Sequence, residues 1–260
     1  MEPGAEIAEK IIADVSKSIA GSGSKQRIAE KIARGTASYA DALAYAQESG
    51  RAMTKSMGKR LPELLTDGKL YRKAAEQAVR RPMEYGAKDV IDVAADIQNE
   101  LNKLAEIGIK AIRPDINRDQ IEGIIRGIVN AEDYQKGQDT FLQQVLNFLE
   151  GTVDDCVREN ADFQYEAGLS PKIERRADAN CCKWCSKLEG VYEYADVKNY
   201  GNDVFRRHKN CHCLVLYNPG NGSKRRQNVH TRAWEDEGRK QQRAELARQL
   251  AEEIRTGRKP

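Results

Sequence analysis

The sequence predicts a mainly α-helical protein, in which a multi-helix body carries a small zinc-stabilised α+β module and a projecting C-terminal helix. Over residues 1–168 the apolar residues recur at helical spacing. Five of the six cysteines then fall between Cys181 and Cys213, where short β-prone segments replace the helical pattern. Helical spacing returns in residues 234–260. Aromatic residues make up only 6% of the chain, which argues against a β-sandwich or β-barrel.

The body begins with an amphipathic stripe over Ile7–Val15, which a flexible Gly/Ser hinge at Gly21–Ser24 ends. A second, short helix is predicted around Gln26–Ala33. Thr36 is of a type that caps helices, and it is placed to begin a third helix that continues towards Met57.

After the Asp67-Gly68 turn the sequence predicts a helix from Leu70 to about Val79, and Pro82 is expected to begin a separate one. Pro114 then breaks the pattern. The second of these helices carries a heptad-like apolar seam, which comprises Val90, Ala94, Ile97, Leu101 and Leu104.

Two further helices complete the predicted body. Asn117 followed by Gln120 has the pattern of a capping box at the start of one of them, and Thr140 is predicted to cap the other. Their apolar faces are Ile121, Ile124, Ile125, Ile128 and Val129 in the first helix, and Phe141, Val145, Leu149 and Val153 in the second. These faces indicate packing between helices, and no catalytic pattern is found in residues 1–170.

The predicted module covers residues 172–218. Val191–Tyr194 and Leu214–Tyr217 are short β-prone segments with turn residues between them. Residues 219–233 form a predicted basic linker, and residues 234–260 a charged helix that needs a partner to be stable.

A Cys/His cluster in this module predicts a structural zinc site. Cys182 and Cys185 form a C-x2-C knuckle, and His208 and Cys211 follow after a spacer of 22 residues. Thiolate and imidazole donors favour zinc over magnesium or calcium. Spacing alone leaves Cys181 as an alternate for Cys182, and Cys213 as an alternate for Cys211. Clustered free thiols and a redox Cys-x-x-Cys pair are the competing interpretations.

A complete Cys3His set leaves no open coordination position, so the predicted zinc is structural and the protein is not expected to be an enzyme. Its role would be to fold a segment that buries little apolar surface of its own. The sixth cysteine, Cys156, lies on a predicted helix and is interpreted as a packed thiol.

The charge is distributed unevenly along the chain. Residues 206–260 contain 14 Lys and Arg against 6 Asp and Glu, which gives this part a charge of +8. Since the whole chain has a net charge of +3, residues 1–205 carry −5. A basic tail on a mildly acidic body indicates contact with nucleic acid or an acidic protein surface, or else a solvated helix. The candidate phosphate-binding residues are Arg206, Arg207, Lys209, Lys224, Arg225 and Arg226.

The start of the sequence, Met1–Glu6, lacks the basic and apolar regions of a signal peptide, and no apolar run reaches the length that a bilayer requires. We therefore expect a chain that is made in a reducing cytoplasm and has no membrane partner. In that compartment cysteines are unlikely to form disulfides, which favours the metal interpretation.

The cysteine module resembles the signature of the phage minor head proteins, also called head morphogenesis proteins and typified by the F protein of phage Mu. That signature has an aspartate before C-x2-C-x2-L-x-G, a spacer, and then H-x2-C-x-C entering a strand. The resemblance covers about residues 174–218, and Lys209 and His212 stand where the family often has proline and arginine. The matching residues are Asp178, Cys182, Cys185, Leu188, Gly190, His208, Cys211 and Cys213.

The resemblance implies a minor capsid protein of a tailed phage or prophage, present in several copies in the head interior or at the portal vertex after assembly in the host cytoplasm. Such proteins are associated with the portal or major capsid protein, and with head assembly, DNA packaging or DNA ejection. Contact with packaged DNA would be independent of sequence.

Two alternatives are a zinc-ribbon nucleic-acid-binding protein and a zinc-supported nuclease. No acidic cluster for a second metal lies near His208, and no helix has base-directed Arg/Asn spacing. A zinc deaminase is excluded because no histidine is followed two residues later by glutamate.

Overall fold

A computed structural model of the chain describes residues 2–178, 181–199, 203–208 and 211–218. The predicted linker and C-terminal helix lie outside these residues. In the described part, the body has six α-helices: α1 (Pro3–Ser22), α2 (Ser24–Ala33), α3 (Tyr39–Arg60), α4 (Arg72–Leu104), α5 (Arg118–Val129) and α6 (Tyr134–Glu166). The mainly helical fold is therefore confirmed.

Backbone conformation and hydrogen bonds explain where α1 and α2 end and where α3 begins. Gly23 adopts a left-handed conformation, with φ of 67°, and separates α1 from α2 at the predicted hinge. The prediction that Thr36 caps α3 is wrong. Ser38 occupies that position, and its backbone N–H donates to the Asp41 carboxylate at 2.9 Å, which completes a capping box. The backbone N–H of Thr36 instead donates to the Lys31 carbonyl and closes the end of α2.

Helix α4 runs without interruption through Pro82, so the predicted division into two helices is wrong. Proline removes one hydrogen bond from a helix and costs about 3 kcal/mol there. Pro82 is buried between Val79 and Met83, and their burial continues on the same face into the seam, where Val90, Ala94 and Ile97 are buried. Packing on both sides of the proline thus offsets its cost.

The N-cap half of the capping box predicted for α5 is confirmed, because the Asn117 side chain accepts a hydrogen bond from the Gln120 backbone N–H at 3.0 Å; the reciprocal bond to the Gln120 side chain is not found among the described residues. The capping prediction for α6 is wrong. Asp133 caps that helix by accepting from the Lys136 backbone N–H at 2.8 Å, and Thr140 lies inside it. The apolar side predicted for this helix is confirmed: Phe141, Val145, Leu149 and Val153 are all buried.

A small antiparallel sheet follows the body, with strand order β2-β1-β3. Its elements are β1 (Lys172–Arg176), α7 (Lys183–Lys187), β2 (Gly190–Glu193), α8 (Tyr194–Val197) and β3 (Leu214–Asn218). Both predicted strand segments are confirmed, whereas β1 was not predicted. In register, Glu174 faces Val191 of β2 and Leu216 of β3, so β1 is the strand that joins the other two.

The sheet shares one apolar core with the helices. Ile173, Val215 and Tyr217 are buried in the same cluster as residues of α3 and α6, which lie under β3. Strand β1 has the alternating burial of a sheet with one face towards the core. The segments that carry the Cys/His cluster are thus connected to a sheet that packs against the helical body. Among the described residues, no helix has the length and apolar character needed to span a membrane.

Three helices, α3, α4 and α6, approach one another closely at Gly86. A Cβ built at Gly86 of α4 would lie 2.5 Å from Met53 Cε of α3 and 3.3 Å from a Leu149 methyl of α6. We expect Gly86→Leu to destabilise the protein by about 1–3 kcal/mol, because the core is overpacked. Urea unfolding measures the effect.

The matched control is Gly123→Leu on the exposed side of α5, where a Cβ meets no atom within 4 Å. It should stabilise the protein by roughly 0.5–1 kcal/mol through helix propensity. Equal unfolding free energies for the two variants would show that Gly86 is not a close-packing position.

Candidate metal centre

The first part of the centre is the knuckle at the start of α7. Cys182 stands at the N-cap of this short helix and is exposed, whereas Cys185 lies one turn later and is buried. The backbone N–H groups of Cys185 and Trp184 point towards the Cys182 sulfur and lower the pKa of its thiol, an effect that outweighs desolvation. The turn therefore already favours a thiolate at Cys182.

The second part lies between a one-turn 3-10 helix (Asp203–Phe205) and β3. His208 follows the 3-10 helix, and the backbone N–H of Cys211 donates to the His208 carbonyl at 3.2 Å. Cys211 and Cys213 are both buried immediately before β3. Because β3 pairs with β1, this segment is held beside the knuckle.

The two parts meet at Cys185. His208 Nε2 lies 3.0 Å from Cys185 Sγ and 3.2 Å from Cys182 Sγ, and Cys185 Sγ lies 3.6 Å from Cys211 Sγ. The edge of a zinc-centred tetrahedron of sulfur ligands is about 3.8 Å. In the described part of the chain, the possible metal-holding groups are Cys182, Cys185 and His208, and Cys185, Cys211 and Cys213. All four first-ranked ligands thus belong to these groups.

The alternates differ in position. Cys181 is half-buried and belongs to neither metal-holding group, which favours Cys182 as the knuckle ligand. Cys213 belongs to the second group together with Cys211, so proximity alone does not separate these two. Cys156 is buried in the core face of α6, and burial raises the pKa of its thiol, as expected for a packed, inert cysteine.

The donor chemistry fits a metal such as zinc. Burial, together with the neighbouring Cys213 and Cys211 side chains, raises the pKa of the Cys185 thiol to about 12. A metal ion that binds here must displace that proton, as zinc does when it coordinates cysteine. A bound ion would hold together segments that are separated by more than 20 residues of sequence.

Sequence reasoning missed Arg175, which lies under the cluster. This residue of β1 is 1% exposed, and its Nη2 donates to Cys185 Sγ and Cys211 Sγ at 3.7 Å each. Its Nη1 donates to the Val204 carbonyl, and its Nε is buried without a partner in the described structure. The signal was weak, because an arginine in a charged β-strand is usually interpreted as a solvated residue.

Arg207 is corrected from a phosphate-binding candidate to an internal ion-pair residue. Its side chain is 7% exposed and forms an ion pair with Asp154 of α6, whose side chain is 4% exposed. Arg207 Nη2 donates to Asp154 at 2.9 Å, and Nη1 donates to the Cys211 carbonyl at 3.0 Å. A guanidinium held in this way is not available to nucleic acid.

Arg206 is the candidate whose side chain is exposed, and it forms a surface ion pair with Asp203 at 3.4 Å. The four other nucleic-acid-binding candidates lie outside the described residues: Lys209, Lys224, Arg225 and Arg226. The charge-based prediction for them stays a prediction.

A cavity of about 530 Å³ lies between α5, α6 and the loop that carries His208. Its lining is mostly polar and includes Asn147, whose side chain donates to the His208 carbonyl at 3.5 Å, and Asp155. Burial, together with the Asp154 carboxylate beside it, raises the pKa of Asp155 to about 6. The loop that carries His208 thus closes one side of a polar cavity in the helical body.

Comparison with known protein families, characterised proteins and solved structures finds no match for this chain. The chemistry of the centre therefore rests on the geometry of its own residues.

We expect Cys185→Ser to abolish zinc binding, because Cys185 is common to both metal-holding groups. The segment 178–217 should then become sensitive to protease while the helical body keeps its far-UV circular dichroism. Zinc content and limited proteolysis with mass spectrometry measure these effects. Cys181→Ser is the matched control and should keep both the metal and the protease resistance. Unchanged resistance in Cys185→Ser would contradict a metal-supported segment.

A second prediction concerns Asp155. The folded chain binds a proton on this carboxyl more tightly than the unfolded chain, whose pKa is about 3.9. This stability is present below about pH 4 and is lost as the pH rises through about 6. Asp155→Asn should therefore raise the unfolding free energy by about 1–3 kcal/mol at pH 8 and change it little at pH 4.

Urea unfolding at the two pH values tests this, with Asp139→Asn on the exposed side of α6 as the control. A gain of the same size at both pH values would show that the effect of Asp155→Asn does not come from its ionisation.

Proposed function

We propose that the chain is a structural, non-enzymatic minor capsid or head morphogenesis protein of a tailed phage or prophage, with Zn²⁺ as its structural metal. The observation that carries this proposal is the cysteine and histidine signature. Its metal-ligand positions, which sequence separates into two segments, lie within one cluster around Cys185. The aspartate, leucine and glycine of the signature, Asp178, Leu188 and Gly190, flank the knuckle in the family's order.

A structural metal agrees with the arrangement of the cluster. Its donors are thiolates and an imidazole, which suit zinc. The two groups of three donors share Cys185 and together offer five donor atoms, more than the four that a closed tetrahedral site without a water ligand would need. A nuclease or hydrolase would need an open position on the metal, and a surplus of protein ligands favours a closed one.

In this proposal the metal holds a rigid contact surface on the helical body. The body would dock on the portal or on the inner capsid wall, and the metal-supported loop would present one fixed surface there. The basic residues from Arg206 onward would meet packaged DNA or an acidic neighbouring protein without sequence specificity. The protein would act in head assembly, or in DNA packaging or delivery.

Fractionation of assembled particles from the producing host tests this function. We expect peptides of this chain to co-purify with the portal at a few copies per head and to resist salt washing. Particles made with Cys185→Ser should contain less of the chain than particles made with Cys181→Ser, because only the first variant loses the metal-supported surface. Recovery of the wild-type chain in the soluble fraction alone would overturn the virion assignment.

A further inference from the structure

Arg175 is a buried cation that faces two sulfur atoms. Its guanidinium is enclosed by the knuckle, by the segment before β3 and by Trp184, whose ring centroid lies 5.7 Å from Arg175 Cζ. The same nitrogen, Nη2, lies 3.7 Å from both Cys185 Sγ and Cys211 Sγ. A buried arginine normally has a carboxylate partner that compensates its charge.

Among the described residues, no carboxylate forms an ion pair with Arg175. The buried acids of α6 on this side are Asp154 and Glu150, and both are ion-pair partners of Arg207. Neutral thiols would leave the guanidinium buried with no counter-charge in contact with it, which is unfavourable. The position of Arg175 is therefore explained if the sulfurs it contacts are thiolates.

Charge balance then distinguishes between the possible ligand sets. A zinc ion with three thiolates and one neutral imidazole carries a net charge of −1, which one guanidinium neutralises. Replacement of His208 by Cys213 would give four thiolates and a net charge of −2, half of which would stay uncompensated. Of the two competing cysteines, Cys211 receives a hydrogen bond from Arg175, and no such bond to Cys213 is found in the described structure.

We propose that Arg175 is a positioning residue that supplies the positive charge for the metal centre and thereby fixes the ligand set as Cys182, Cys185, His208 and Cys211. Cys213 then packs beside the centre as an uncoordinated thiol. This inference rests on the proposed zinc site, and it adds a residue outside the cysteine and histidine signature.

The test compares Arg175→Met with Arg176→Met in the full chain. Arg176 is the next residue of β1, has a largely exposed side chain and is paired with Glu174, so its loss changes the same strand without touching the sulfurs. Zinc affinity is measured by competition with a chelator. We expect Arg175→Met to weaken zinc binding by about 10- to 100-fold, as is typical for residues that support metal ligands, and Arg176→Met to leave it unchanged.

Thermal unfolding with and without zinc separates a charge role from simple packing. Methionine removes a buried charge that has no carboxylate partner in the zinc-free form, so zinc-free Arg175→Met should unfold at the same temperature as the zinc-free wild type, or higher. Only the zinc-loaded form should lose stability. Equal losses in both forms would overturn the proposal, because a packing residue has that effect.

Arg175→Lys provides a second variant if Arg175→Met does not fold. It keeps the charge but loses the guanidinium fork that reaches both sulfurs. Its zinc affinity should therefore be lower than that of the wild type and of Arg176→Met, but by less than tenfold. Zinc affinity equal to the wild type in both Arg175 variants would overturn the proposal while leaving the zinc site intact. A wild-type chain that takes up no zinc would overturn the zinc site itself.

Cobalt substitution tests the ligand set. Because three thiolates are proposed, Cys211→Ser should lose about one third of the cobalt–thiolate absorption, whereas Cys213→Ser should keep all of it. Loss of absorption in Cys213→Ser and not in Cys211→Ser would overturn the assigned set.

Discussion

The buried ion pair between Arg207 and Asp154 determines where the loop that carries the candidate ligands His208 and Cys211 lies on the helical body. Both side chains are almost completely buried, and the fully buried Glu150 also lies 3.4 Å from Arg207, so removal of Arg207 would leave Asp154 inside the protein without its ion-pair partner. Burial raises the pKa of Asp154, and the charge and hydrogen bonds of Arg207 oppose that effect. The same guanidinium donates to the Cys211 carbonyl, so one arginine connects α6 directly to a candidate metal ligand. The geometry of the centre therefore depends on a helix that contributes no ligand.

A second constraint fixes the sheet on the same helices. Tyr217 of β3 donates to Gln164 of α6, which in turn donates to Asn102 of α4 at 2.9 Å. Gln98 also donates to Asn102, at 2.7 Å, and accepts from Tyr39 of α3 at 2.8 Å. Because buried amides and hydroxyls lose free energy when they lack partners, this chain of bonds allows one placement of β3 against three helices. Apolar contacts alone would tolerate small displacements of the sheet.

The sequence predicted the elements whose signal is local and missed those that depend on tertiary contacts. The apolar spacing of Phe141–Val153 repeats at each helical turn and the Asn117 cap lies within one turn, and both are confirmed. Pro82 was misinterpreted because the local cost of proline is offset by burial on both sides, which no local rule includes. Strand β1 was missed because its sequence, Lys-Ile-Glu-Arg-Arg, looks like an exposed charged segment. Its fourth residue, Arg175, is buried only because the cysteine cluster lies above it.

The buried arginines also change what the charge of the chain implies. Arg175 and Arg207 both contribute to the positive charge near the cluster, yet one faces sulfur atoms and the other a carboxylate inside the protein. A cation that is neutralised internally adds little to the field that nucleic acid would experience. The surface beside the metal centre is therefore less basic than the sequence suggests. Electrostatic attraction to DNA would then depend on exposed residues such as Arg206 and on the basic residues that follow β3 in the sequence. This separates roles that composition alone merges: Arg207 joins the module to the helical body and Arg175 faces the sulfurs, whereas Arg206 and the basic residues after β3 remain the candidates for contact with a partner.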